Sequence, residues 1–103
     1  MKNNILWVDD EIELLESHII YLRDKNYNVL TANSGEDAIE LCKKSKIDLI
    51  LLDEMMTGMD GIETLKKIKK IQPEIQIIMI TKNEEEWLME EAIASQISNY
   101  LIK

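Results

Sequence analysis

The chain has 103 residues, the size of one domain with one core. It is 46% hydrophobic and 31% charged, a globular composition, and no apolar run reaches the roughly 20 residues of a membrane span. Twenty acidic against twelve basic residues give a net charge of −8, which repels a phosphate backbone and argues against nucleic acid as a direct partner.

Met-Lys-Asn-Asn leads into Ile5 with no apolar stretch long enough for a signal peptide. Ile5-Leu6-Trp7-Val8 is a short continuous apolar run, predicted as a strand buried on both faces. From Glu11 to about Asn26 the spacing turns helical, with Ile12, Leu15, Ile19 and Leu22 on one stripe. Tyr27 to Thr31 returns to strand. Ser34-Gly35-Glu36-Asp37 opens a second helix, with Ser34 as cap, Ala38, Leu41 and Cys42 turned inward, and Lys43 and Lys44 at its negative end. Cys42 is the one cysteine, so no internal disulfide forms, which fits a reducing cytoplasm.

Ile47 to Leu52 is predicted as a third strand. A loop with two glycines leads to Asp60, the cap of a third helix with Glu63 three residues on and Leu65 and Ile68 on its inner face. Pro73 lies just past that helix. Ile75 to Ile80 is a fourth strand, Asn83 followed by three glutamates starts a fourth helix, and Asn99 to Ile102 is a fifth strand. Regular alternation of strand and helix predicts an α/β domain around a parallel sheet. In such sheets ligands bind beyond the carboxyl ends of the strands, at a topological switch point.

Asp9, Asp10 and Glu11 follow the first predicted strand, Asp53 the third, Thr81 the fourth and Lys103 the fifth. In isolation, Asp9–Asp10 reads as a helix cap with a first-turn acid, Thr81 as a strand end and Lys103 as a solvated tail. Together they bring three carboxylates, a hydroxyl and an ammonium to one rim. Unit charges about 4 Å apart repel by about 4 kcal/mol at an effective dielectric of 20, so clustered carboxylates need a compensating cation. Oxygen ligands without His or Cys favour Mg²⁺. A carboxylate can attack phosphorus, and the transferred group needs several partners for its oxygens. Spacing therefore points to a Mg²⁺-dependent phosphoryl site and leaves open which Asp is the nucleophile.

At these residues the chain resembles the receiver domain of bacterial two-component response regulators, CheY-like proteins. The likeness covers the whole chain through Val8-Asp9-Asp10-Glu11, Leu51-Leu52-Asp53, Met56 to Glu63, Ile80-Thr81 and Tyr100-Leu101-Ile102-Lys103. It implies a flavodoxin-like, doubly wound five-stranded sheet of order 2-1-3-4-5. It implies Asp53 as the phosphoacceptor for a sensor histidine kinase. Asp10, Asp53 and the Met55 backbone carbonyl would hold Mg²⁺ directly, and Asp9 through water. Lys103 would contact the phosphoryl group, Thr81 would close onto it, and Tyr100 would swing inward. The chemistry is self-directed, not enzymatic turnover, and the output surface is the fourth helix, fifth strand and fifth helix.

Five residues depart from the family pattern. Thr57 stands where the family usually has Pro, which loosens the loop. Glu54 replaces an apolar residue, and alternation predicts that it points away from Asp53. Lys82 replaces a small residue, and Gln96-Ile97 the usual Gly-Ala. Together they resemble receivers that precede a PglZ-type domain in regulators tied to type IX secretion. Two other classes stand beside this reading, a Mg²⁺-dependent aspartyl-phosphate phosphatase and a pseudo-receiver acting by contact alone. The first lacks its Asp-x-Asp pair, since the sequence is Asp9-Asp10-Glu11-Ile12, and the second does not need the five site residues.

Met55, Met56 and Met59 read as loop and core filler, His18 as surface, and the Lys66, Lys67, Lys69, Lys70 cluster as a solvated helix end. Trp87 beside three glutamates reads as sheet packing, with a partner contact as the alternative. In the 2-1-3-4-5 order, right-handed crossovers leave the first helix alone on one face. Five strands span about 19 Å at about 4.8 Å spacing, and one helix covers about 10–12 Å. A further helix after Lys103 is therefore expected, making residues 1–103 the receiver at the front of a longer regulator. Alone, the chain is expected to be unstable or to pair as a homodimer.

Overall fold

The computed structural model describes residues 3–81 and 99–102, the last four and Thr81 by their backbone. Five strands, β1 (Asn4–Val8), β2 (Asn28–Ala32), β3 (Leu49–Asp53), β4 (Gln76–Thr81) and β5 (Asn99–Ile102), form one sheet. Every neighbouring pair is parallel, and the order is β2-β1-β3-β4-β5. Three described helices, α1 (Glu16–Asp24), α2 (Gly35–Lys44) and α3 (Gly61–Ile71), connect them. The α/β class and the strand order follow the expectation. The helix predicted from Asn83 lies outside the described residues.

Side-chain alternation divides the sheet into two unequal faces. Leu6, Val8, Ile50, Leu52, Ile77 and Met79 point to one face and are fully excluded from solvent, packed with Ala38 and Cys42 of α2 and Leu65 and Ile68 of α3. Each such side chain contributes roughly 1.5–3 kcal/mol of transfer free energy. On the other face Ile5 and Ile80 are buried, but Trp7, Leu49, Leu51 and Ile78 are only half-buried. The strands read from sequence as buried on both faces are therefore fully buried on one. Among the described residues, α1 alone supplies the second cover, and Ile19 is its one buried residue. Ile12, Leu15 and Leu22, expected on the same stripe, are half-buried.

The first helix also begins differently from the expectation. Ile12–Leu15 form a 3-10 turn before α1. Ile12 N–H donates to the Asp9 carbonyl at 3.1 Å and Leu14 N–H to that of Glu11 at 2.9 Å, so the tighter winding starts from the end of β1. Elsewhere the caps fall where the sequence puts them. Ser34 Oγ accepts from Asp37 N–H at 3.1 Å, and Asp60 Oδ1 from Glu63 N–H at 2.9 Å. Lys69, expected in solvent, donates from Nζ to the Ile75 carbonyl at 2.8 Å and ties the end of α3 to the approach to β4.

Strand limits shift by one or two residues, with a consequence for chemistry. Asp53 and Thr81 are the last residues of β3 and β4, not the first residues beyond them. Gly61 then brings α3 close beneath Asp53. A Cβ there would collide with the Asp53 carbonyl oxygen and lie 2.7 Å from Glu54 Cα. Its N–H donates instead to the Glu54 carbonyl at 3.0 Å.

Candidate functional site: a carboxylate cluster at the β1/β3 switch point

The chain leaves β1 in one direction to reach β2 and returns on the other side to reach β3, so the switch point lies between β1 and β3. Val8 and Leu52 are register partners there. The next residue on each strand path is an aspartate, Asp9 and Asp53, with Asp10 one further on. Asp9 is 2% exposed and Asp53 4%, while Asp10 is half-buried. One carboxylate oxygen from each of the three lies within 4.8 Å of the others.

Backbone donors fix the orientation of each carboxylate. Asp9 Oδ1 accepts from Glu11 N–H at 2.9 Å, and Asp53 Oδ1 from Met55 N–H at 3.3 Å. Both are aspartates bonding to the amide two residues on, which turns the chain sharply as it leaves its strand. Asp10 Oδ2 accepts twice from one residue of the β3–α3 loop, from the N–H and the hydroxyl of Thr57, both at 3.1 Å. The loop that the Thr57 departure was expected to loosen is thus anchored to the cluster by that residue.

At 4.8 Å, two full charges repel by about 3 kcal/mol at an effective dielectric of 20. Such a repulsion persists in a fold only where something relieves it. The donor set is oxygen alone. Cys42 lies in the core under α2, and His18 is exposed with its ring 6.3 Å from that of Trp7, so neither belongs to the cluster. Close carboxylates without nitrogen or sulfur suit a hard divalent cation such as Mg²⁺, and the residues present fit it.

The remaining site candidates are placed by topology. Ile80 is the register partner of Asp53, so Thr81 sits one residue further along the same rim. Ile102 pairs with Thr81 and Tyr100 with Met79. Lys103 lies outside the described residues, as do Lys82 and Gln96-Ile97. Met55 is 57% exposed, so among the three methionines read as filler it is Met56, 8% exposed, that joins the core. Its neighbour Met59 is half-buried. Glu54 is buried at 6% yet stands outside the carboxylate cluster. The Thr57 contact with Asp10, across 47 residues, had no local signal beyond the departure at that position.

Comparison with known proteins agrees with this arrangement. The family described as "Response regulator receiver domain" matches residues 5–103. The transcriptional regulatory protein ZraR of Escherichia coli is 40% identical over 100 residues, 97% of this chain and 23% of that protein. The alkaline phosphatase synthesis transcriptional regulatory protein PhoP of Bacillus subtilis is 37% identical over 87 residues, 84% of this chain and 36% of its own length. The chain thus spans about a quarter to a third of the relatives named here. Among solved structures, the chemotaxis protein CheY4 of Vibrio cholerae superposes with a TM-score of 0.87 at 27% identity, covering 100% of this chain and 88% of that one. The response regulator TrrA of Thermotoga maritima, solved with Mg²⁺ and BeF, gives 0.86 at 30% identity over 100% and 87% of the two chains. Sequence, strand order and rim chemistry converge on one assignment: this chain belongs to the response regulator receiver domain family.

Proposed function

We propose that the chain is a phosphorylation-switched signalling domain in which Asp53 takes a phosphoryl group from the phosphohistidine of a sensor histidine kinase. The observation that carries this reading is the cluster itself, three carboxylates within 4.8 Å at the switch point of a parallel sheet. Asp53 is the best-placed nucleophile because it ends the central strand, with β1 and its aspartates on one side and β4 and Thr81 on the other. A carboxylate oxygen of Asp53 attacks phosphorus as the phosphorus–nitrogen bond breaks, and the histidine ring takes the electron pair. The product is an acyl phosphate, which water later hydrolyses back to the carboxylate and phosphate.

Asp10, Asp53 and the Met55 carbonyl would hold Mg²⁺, with Asp9 acting through water, and the ion would offset charge on the transferred oxygens. The Mg²⁺ and BeF bound to TrrA support that choice. In this reading Lys103 pairs with a phosphoryl oxygen, Thr81 donates its hydroxyl to another, and Tyr100 packs inward after Thr81. The matched relatives are transcriptional regulators much longer than this chain, which supports an output domain joined to the receiver. The departures at Glu54, Thr57, Lys82 and Gln96-Ile97 together resemble those of receivers that precede a PglZ-type output in type IX secretion, the narrower reading of the output. A DNA-binding domain encoded after Lys103 would overturn that narrower reading.

Incubation with acetyl phosphate and Mg²⁺, followed by intact mass and phosphate release, separates the function classes. One retained phosphate per chain supports the switch. Rapid phosphate release with no phosphate retained on the chain would make it a phosphatase, and an unchanged mass without phosphate release would make it a pseudo-receiver.

A further inference from the structure

We propose that Thr57 is the positioning residue of the cation site, setting the affinity of Asp10 for Mg²⁺; this rests on the reading of the cluster as a Mg²⁺ site. A carboxylate oxygen accepts about two hydrogen bonds in good geometry. Asp10 Oδ2 receives two from one residue, the Thr57 amide and the Thr57 hydroxyl, each at 3.1 Å. With both donors on one oxygen, Thr57 sets the orientation in which the Asp10 carboxylate meets the cluster.

Asp10 needs this help more than its two neighbours. Asp9 and Asp53 are buried and each is held by the amide two residues on. Asp10 is half-buried, and both Thr57 donors reach it from the β3–α3 loop, 47 residues away. Gly58 follows with φ of 80°, the left-handed turn that carries the chain away again after Thr57 has reached Asp10. Pro, the residue usual at this position in the family, has neither an N–H nor a hydroxyl, so it can make neither contact. The donor pair belongs to this sequence.

Hydrogen-bond partners that orient a metal's ligands commonly change its affinity by about 10–100-fold, because an unheld ligand loses freedom on binding. Thr57 is exposed, which places the effect at the lower end.

The test is calorimetric titration of the whole chain with Mg²⁺ alone, for wild type, Thr57→Val and Thr57→Ser. Val keeps the shape and loses the hydroxyl, and Ser restores it. Thr57→Val is expected to bind about 10-fold more weakly and Thr57→Ser within about 3-fold of wild type. Equal or tighter binding by Thr57→Val overturns the inference, as does Thr57→Ser matching Thr57→Val. A wild type that binds no Mg²⁺ removes the cation site itself, and the inference falls with it. Melting in EDTA gives a readout without the cation. Thr57→Val lowers the Tm by a few degrees when Asp10 is present and leaves it unchanged in Asp10→Ala. Equal shifts in both backgrounds overturn the contact.

Discussion

Replacing Asp10 by Asn separates the two roles of the cluster, repelling charge without metal and binding charge with it. Asn is nearly isosteric, and its oxygen still accepts from Thr57, so the contacts at 3.1 Å have a replacement acceptor. What disappears is one charge within 4.8 Å of two others. Each pair is worth about 3 kcal/mol at an effective dielectric of 20. Asp10 is half-buried, so solvent and salt take most of that, and the Thr57 amide already offsets part of it. A net gain of about 1–2 kcal/mol remains, a rise of roughly 4–16 °C in Tm for a domain of this size. The assay is thermal melting at neutral pH in EDTA, then in excess Mg²⁺. In EDTA, Asp10→Asn melts above wild type. In Mg²⁺ the order closes or reverses, because only wild type gains the full binding term. If Asp10→Asn melts no higher than wild type without metal, the clustered-charge account is wrong.

Two further expectations probe the frame and one of its buried groups. Gly61→Ala forces a methyl against the Asp53 carbonyl and Glu54 Cα, so a loss of about 1–3 kcal/mol is expected in urea melts; an unchanged midpoint would show that α3 can back away. Burial pushes the Cys42 thiol up from 9.0 to about 11. Its folded pKa lies above the unfolded one, so the unfolded chain sheds the proton first, and this stability is present below about pH 9 and is lost as pH rises toward 11. Cys42→Ala should flatten that decline relative to wild type in melts across this window, and parallel curves would refute the assignment.

The fold was legible because local signals agree with the global pattern. Ser34 and Asp60 cap the helices that they were expected to cap, and the apolar runs at Ile5–Val8 and Leu49–Leu52 lie side by side in the sheet. Less legible were features decided by partners distant in sequence. The stripe Ile12, Leu15, Ile19, Leu22 suggests one continuous helix, yet the Asp9 carbonyl captures Ile12 N–H and winds its start into a 3-10 turn. Alternation set Glu54 apart from Asp53 but did not show that it is buried, because β3 ends at Asp53 and the chain turns under α3. At the site, residue types at strand ends revealed the carboxylates, since charge at the end of an apolar run is a local signal. The grip of Thr57 on Asp10 was hidden, because it depends on how a loop closes in space.

The central claim is that Asp53, and neither Asp9 nor Asp10, carries the phosphoryl group. Borohydride reduces an aspartyl phosphate to homoserine, which marks the modified residue for peptide mass mapping. After acetyl phosphate and Mg²⁺, homoserine is expected at residue 53 alone, disappearing when Mg²⁺ is replaced by EDTA or Asp53 by Asn. Homoserine at residue 9 or 10, or an undiminished signal elsewhere in Asp53→Asn, would contradict the account.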